Sequence, residues 1–260
     1  MVSNATVRVR DRLKRTAPPA APAPDVAPPV EPGPDIYEAL YESHATAHAD
    51  ETVVGGLHLG PVELEILVDQ GLRPNHTLVD LGCGIGRLAC EVAGWMDGGE
   101  YIGTDVSDTM LARAATRLAE LGATPGCTVR WLKQQGTTFD LPDGSADMIS
   151  AFSVFTHIEH EDTYNFLRDG RRVIRPDGRF VFSCLPMDLL PSRYIFEASA
   201  RLSFSERWGR VRNVTTSMDL MDSISRMAGW ETERWIPTTT DYFGQTICVL
   251  RPRAGGPGVD

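Results

Sequence analysis

From residue 77 onward, short apolar runs alternate with longer segments in which apolar positions recur every three or four residues. Thr77–Leu81, Tyr101–Thr104, Cys127–Leu132 and Met148–Phe152 are short and rich in apolar and β-branched residues, as buried strands are. Between them, Ile85–Met96 and Ser107–Leu121 carry a helical stripe, the second with Ser107 placed as an N-cap. A further helix is expected over Asp162–Ile174. Its stop is the turn Arg175-Pro176-Asp177-Gly178, which leads into the apolar strand Arg179–Leu185. Later come a helix over Ser217–Ala228, ended by Gly229, and two strand-like runs, Thr232–Ile236 and Gln245–Leu250. The short connection between those runs suggests a hairpin at one sheet edge. Strands alternating with helices of this length predict βαβ units and a mainly parallel, doubly wound α/β sheet.

The first 34 residues break this pattern. Residues 1–16 hold five basic side chains against Asp11 alone, and residues 17–34 hold eight prolines and five alanines. Each proline removes an N–H donor and restricts the residue before it, so no helix forms there. Residues 1–34 are therefore expected to be a disordered basic head and a semi-extended Pro/Ala tether, with the folded domain over 35–260. The head suits a solvated end or a weak contact with an anionic surface or partner.

The chain of 260 residues, 42% hydrophobic and 23% charged, is long enough to bury a core without staples. Its net charge of −10 and pI near 5.1 argue against a general nucleic-acid binder, and no nucleic-acid partner is expected. No stretch approaches the ~18 apolar residues of a membrane span and no signal peptide opens the chain, so a cytoplasmic location is expected. The five cysteines are odd in number and lack a CxxC pair, which indicates neither a disulfide framework nor a zinc site.

The most specific local feature is Leu78-Val79-Asp80-Leu81-Gly82-Cys83-Gly84-Ile85-Gly86-Arg87. A strand enters, glycines turn the chain and let a ligand approach the backbone, and a helix leaves with free N–H groups. The spacing is Gly-x-Gly-x-Gly, with Arg87 where a dinucleotide fingerprint wants its third small residue. Asp80 closes the first strand, where a carboxylate suits a cationic ligand or orders the loop. Nineteen residues after Gly86 the next strand ends in Asp105, placed to accept both hydroxyls of a ribose, or else to cap the following helix.

Asp80-x-Gly82-x-Gly84-x-Gly86 followed by Asp105 resembles the class I S-adenosylmethionine-dependent methyltransferases. The likeness runs through about residues 55–252. It includes Leu141-Pro142-Asp143-Gly144-Ser145-Ala146-Asp147-Met148-Ile149 before the fourth strand and Arg172-Val173-Ile174-Arg175-Pro176-Asp177-Gly178-Arg179 before the fifth. The resemblance implies a Rossmann-like, mostly parallel seven-stranded sheet with an antiparallel last strand, and S-adenosyl-L-methionine as cofactor. It implies Gly82, Gly84 and Gly86 along the methionine and ribose portions, Asp80 near the methionine ammonium, and Asp105 on the ribose hydroxyls. Val106 would lie against the adenine, Gln135-Gly136 would meet its amino group, and Ser153 would belong to the same binding shell. Gln135 stands where the family often has an acidic residue.

Methyl transfer from a sulfonium is an in-line displacement with an activated leaving group, so holding the reactants in line is the main task. A base is needed only where the acceptor keeps its proton, as an alcohol does. His157, after the fourth strand at the carboxyl edge of the sheet, has an ordinary pKa near ~6.5 and suits that role; the alternatives are packing or a cofactor contact. His160, Glu161 and Asp162 read as the polar start of a helix, and the local spacing is no recognised metal-ligand set. An insertion around residues 187–214 mixes Arg193, Arg201, Arg207, Arg210 and Arg212 with Tyr194, Phe196, Phe204 and Trp208. In the family, insertions here commonly cover the acceptor. Arginines and aromatics together suit a sugar or aromatic acceptor, or one bearing carboxylate or phosphate, or the arginines only follow a chain in which Lys14 and Lys133 are the sole lysines. Tyr37, Tyr41 and His44, with the Gly55-Gly56 turn, suit either a lid over the cofactor or a packed helix. The expected activity is O-methylation of a small-molecule or glycan hydroxyl. N- or carboxyl-methylation is the alternative within the enzyme class, and a non-catalytic cofactor-binding or assembly protein the alternative outside it.

Overall fold

The apolar runs become a seven-stranded sheet in the order β3-β2-β1-β4-β5-β7-β6. β1 (Thr77–Leu81), β2 (Glu100–Asp105), β3 (Thr128–Lys133), β4 (Ala146–Ala151) and β5 (Ile174–Cys184) pair in parallel. β7 (Thr246–Pro252) pairs antiparallel with both β5 and β6 (Trp230–Pro237), which gives the doubly wound sheet and edge hairpin expected from the pattern. The helices are α1 (Ile36–Ala47), α2 (Gly60–Asp69), α3 (Arg87–Trp95), α4 (Asp108–Glu120), α5 (His160–Val173), α6 (Leu190–Ala200), α7 (Phe204–Trp208) and α8 (Met218–Met227). This computed structural model describes residues 36–47, 56–122, 124–237 and 244–254. The head and tether expected over residues 1–34, and Gly55 of the Gly55-Gly56 turn, lie outside the described residues.

Alternation along the strands sorts the core onto two faces. Val79, Ile149, Phe180 and Phe182 pack with Phe166 and Leu167 of α5 and Met221 and Ile224 of α8. Leu78, Met148 and Val181 pack on the other face with Leu67 of α2 and Leu88 and Val92 of α3. Trp230 anchors the first face: it is fully buried, meets Phe180 edge-on at 5.7 Å, and its indole N–H donates to the Leu167 carbonyl at 2.8 Å. Ser107 caps α4 by accepting from the Met110 N–H at 3.1 Å, and Ser217 caps α8 from Leu220 at 3.2 Å.

The turn expected at Arg175–Gly178 is a bulge inside β5. α5 passes directly into the strand, Ile174 pairs with Ala146, and the next aligned pair is Met148 with Arg179. Residues 175–178 are extruded between these pairs, held by ion pairing of Arg175 with Asp147. Gly178 is required there because an added Cβ would lie 2.6 Å from the Asp147 carbonyl oxygen. Of the helices not anticipated from the pattern, α2 begins at Gly60-Pro61, a pair that reads as a turn. Proline in a first helical turn loses no hydrogen bond.

The chain walks outward from β1 through β2 to β3, then crosses back to β4 on the other side of β1. The connections after β1 and β4 therefore diverge, and a crevice opens at the carboxyl ends of these strands.

Candidate functional site

A cavity of about 1060 Å³ occupies this crevice. Its floor is the loop between β1 and α3. Gly82 has φ +69°, and a Cβ there would meet Val154 Cγ2 at 2.4 Å, so backbone conformation and space both demand glycine. Gly82 and Gly84 line the cavity, whereas Gly86 lies behind it as the left-handed N-cap of α3, packed against Ala114. Arg87 turns back to α2, where its guanidinium pairs with the buried Glu63, with Nε donating to Oε2 at 3.0 Å. The residue standing where a dinucleotide loop has a small one therefore ties α2 to the loop.

The two acids are buried and held by different donors. Asp105 ends β2 and accepts from the N–H groups of Gly84 and Ser107, both at 2.9 Å. Burial pushes its carboxyl up to about 6, outweighing those two hydrogen bonds. Asp80 accepts from Tyr101 Oη at 2.6 Å and Ser150 Oγ at 2.9 Å. Burial, with the Glu63 charge adding to it, pushes Asp80 up to about 7. Both acids face the cavity.

Val106 and Gly136 also line the cavity, and Gln135 does not. Gln135 is exposed, and the lining residue is Gln134, whose amide donates to the carbonyls of Gly136 at 3.0 Å and Thr138 at 2.9 Å. β3 continues to Lys133, one residue beyond its expected end, and the alternation turns Gln134 inward and Gln135 outward.

One wall is α1, which is at once a packed helix and a cover. Tyr37, Tyr41 and His44 line the cavity. Tyr37 Oη donates to Asp162 at 2.6 Å and accepts from the Glu159 N–H at 3.0 Å. Glu42 accepts from Ser107 Oγ at 2.6 Å and from Thr109, so α1 is fastened to the capping turn of α4.

A further part of the lining begins with Ser153, whose φ of 59° makes it the non-glycine residue in the left-handed region among those described. That conformation aims its N–H at Ser183 Oγ, 2.7 Å away. Ser183 Oγ donates to Gln245 Oε1 at 2.6 Å, and Gln245 Nε2 donates to Ser153 Oγ at 2.9 Å, closing a ring of three residues. Gln245 lines the cavity and was not anticipated; it precedes β7, which the antiparallel return brings beside β5. His157 also lines the cavity, and its Nδ1 lies 2.8 Å from the Arg212 carbonyl oxygen. Burial lowers its pKa; the Arg212 carbonyl opposes the shift, and the positive charge of a protonated His44 adds to it. His160, Glu161 and Asp162 open α5 as expected.

The 187–214 segment folds as α6, α7 and an irregular returning stretch. Ile195, Val211 and Asn213 reach the cavity, while Arg193, Arg201, Arg207, Arg210 and Arg212 are not among its lining residues. Among the described residues, no group of three or more His, Cys, Asp or Glu is arranged to hold a metal ion. None of their helices is long and apolar enough to cross a membrane.

The cavity fits the nucleoside cofactor implied by the glycine loop. One end offers the Asp105 carboxylate beside Val106 and Met110, and a buried acid, Asp80, lies farther along for a cationic group. The methyltransferase-domain family matches residues 78–178, which contain β1 to the β5 bulge. The uncharacterized methyltransferase YcgJ of Bacillus subtilis is 27% identical over 172 residues, 63% of this chain and 61% of that protein. The ubiquinone/menaquinone biosynthesis C-methyltransferase UbiE of Cupriavidus necator is 27% identical over 132 residues, 50% of this chain and 51% of that protein. The chain thus spans about half the length of the curated relatives it matches. Among solved structures, magnesium protoporphyrin IX methyltransferase of Synechocystis with bound S-adenosylhomocysteine superposes with a TM-score of 0.61 at 19% identity. That match covers 78% of this chain and 85% of the other, a likeness of fold. Residues 78–178, which hold the glycine loop and both acids, match the methyltransferase-domain family, and the seven-stranded fold is the one found in class I methyltransferases, whose cofactor is S-adenosylmethionine.

Proposed function

We propose that the protein transfers the methyl group of S-adenosylmethionine to a hydroxyl oxygen of a small molecule or glycan, with His157 as the base. When bound, the cofactor supplies a methyl group already activated by its sulfonium. Asp105, Val106, Met110, Gln134 and Gly136 would hold the nucleoside end, and Asp80 would counter the charge of the amino-acid end. The remaining work falls to residues that place the acceptor and remove its proton.

The observation that carries the reading is the His157–Arg212 contact. A carbonyl only accepts hydrogen bonds, so Nδ1 must donate, and Nε2 of the neutral ring keeps its lone pair. Burial holds the ring neutral at pH 7, the state in which it takes a proton. A neutral acceptor is favoured because apolar Ile195, Val211 and Leu185, with Asn213, line this side and no insertion arginine does. That weighs against carboxylate and phosphate acceptors, and so against carboxyl-methylation. A phenol methylated on carbon needs the same proton removed, and the relative named as a C-methyltransferase makes that a second outcome to test.

The test is transfer of labelled methyl from S-adenosylmethionine to pooled neutral phenols, alcohols and sugars, with amines and carboxylic acids as separate pools. Label should appear on oxygen of a neutral compound, and His157→Ala should lower the rate ~10²-fold or more with cofactor affinity nearly intact. Transfer confined to the amine or acid pools would replace this reading. Binding of the cofactor with no transfer to any pool would favour a non-catalytic protein.

A further inference from the structure

We infer that Arg212 is a positioning residue for His157, one that delivers its main-chain carbonyl to Nδ1 and so fixes which ring nitrogen is free to take a proton. The inference rests on the reading of His157 as the base. It assigns a task to the arm formed by α6, α7 and residues 209–216.

Three contacts fix where the Arg212 carbonyl sits. The guanidinium pairs with Glu159, two residues past His157 on the same loop. It also lies over the Trp208 ring, 4.2 Å from the centroid. Two residues on, the Val214 N–H donates to the Thr156 carbonyl at 2.7 Å. Residues 212 and 214 thus grip the loop on both sides of His157, and the carbonyl between these holds is left 2.8 Å from Nδ1. Stacking on an aromatic face while pairing with a carboxylate suits a planar guanidinium, and a lysine ammonium reproduces only the pairing.

The neighbours of Arg212 give the arrangement its consequence. Val211 and Asn213 line the cavity. Seating the arm therefore brings acceptor-facing side chains and the tautomer-fixing carbonyl into place together, so the base is set when the acceptor wall closes. The charged and titratable groups facing the imidazole are His44 of α1 and, through the arm, Arg212 with Glu159.

The experiment is nitrogen-15 NMR of the histidine rings in the full chain, with His157→Gln used to assign the resonance. The parent should show the Nδ1–H form at pH 7.5 and titrate below the ordinary histidine value. In Arg212→Ala the signal should move toward the Nε2–H form preferred by an unrestrained imidazole. Its midpoint should rise toward ~6.5, because a released arm admits water. Label transfer to the acceptor pools should fall about tenfold, the worth of one such hydrogen bond, while S-adenosylhomocysteine affinity measured by calorimetry stays within twofold. Arg212→Lys should give an intermediate tautomer ratio, and Trp208→Phe, which keeps an aromatic face, should stay near the parent. Should Arg212→Ala disturb folding, Glu159→Gln removes only the ion pair and should move the ring signals in the same direction. Unchanged tautomer and midpoint in a folded Arg212→Ala would overturn the role of Arg212 and leave the base reading standing. A shifted tautomer with undiminished transfer would keep the positioning contact and overturn His157 as base.

Discussion

Asp80 and Asp105 are carboxyl groups whose pKa values burial raises to about 7 and about 6. In the ligand-free protein each holds a proton that the unfolded chain would release near ~3.9, so the folded state binds more protons between those values. Their contribution to stability is therefore fully present below the unfolded value and is lost as pH rises through about 6 and 7. Part of the melting temperature should accordingly be lost between pH 5 and pH 8. S-adenosylhomocysteine, whose ammonium and ribose hydroxyls favour the ionised acids, should bind more tightly across the same rise. Melting curves with and without that ligand check both signs, and an affinity that falls with pH would place the two acids outside the binding site. Asp105→Ala removes charge-assisted bonds worth roughly 1.5–3 kcal/mol each, so calorimetry should show affinity at least about tenfold weaker. Gly82→Ala should fail differently, losing stability as well as binding, because a left-handed φ of +69° and a Cβ 2.4 Å from Val154 strain the loop before any ligand arrives.

Ser107 joins two elements with one side chain. Its Oγ accepts from Met110 to cap α4 and donates to Glu42 to fasten α1. Ser107→Ala should therefore cost about 1 kcal/mol of stability through the lost cap and also speed hydrogen exchange in α1. Glu42→Gln should speed exchange in α1 while leaving the cap of α4 in place, and α1 exchange unchanged from the parent in both variants would show that α1 is held elsewhere. The sequence made the cap visible because Ser107 directly precedes a helical stripe. It did not reveal the fastening, because Glu42 lies 65 residues away. The same distinction runs through the site. Gly82, Gly84 and Asp105 were legible as local patterns at strand ends. Gln245 was not, because it reaches Ser153 across 92 residues only once β7 has turned back along β5. Gln134 was missed by a single position, since a strand one residue longer than expected inverts which side chain faces inward. The Arg175–Gly178 segment carried turn chemistry and forms a bulge instead, because pairing of Ile174 with Ala146 starts β5 before the proline.

At the scale of the whole molecule, the sheet order places the switch between β1 and β4, whereas alternation of strands and helices implied a mainly parallel, doubly wound sheet without saying where the order reverses. The head and tether are a separate matter. Their composition predicts that deleting residues 1–34 leaves the melting temperature and S-adenosylhomocysteine affinity unchanged within error, and a marked drop in either would show that this segment docks on the body. The cavity itself is assembled in two unequal ways. Everything read here as holding the nucleoside lies between Asp80 and Thr137, on consecutive strands and their loops. The facing wall is gathered from Ser153, His157, Leu185, Ile195, Val211, Asn213 and Gln245, with much of it carried on an arm that leaves the sheet after β5. Such a partition lets one half drift while the other stays fixed. Exchanging residues 187–214 for the corresponding arm of another family member should yield a chimaera that keeps its methyl donor and changes its customer. If the chimaera lost both, the arm would belong to the donor half as well, and new specificities could arise in this lineage only by rebuilding the two halves together.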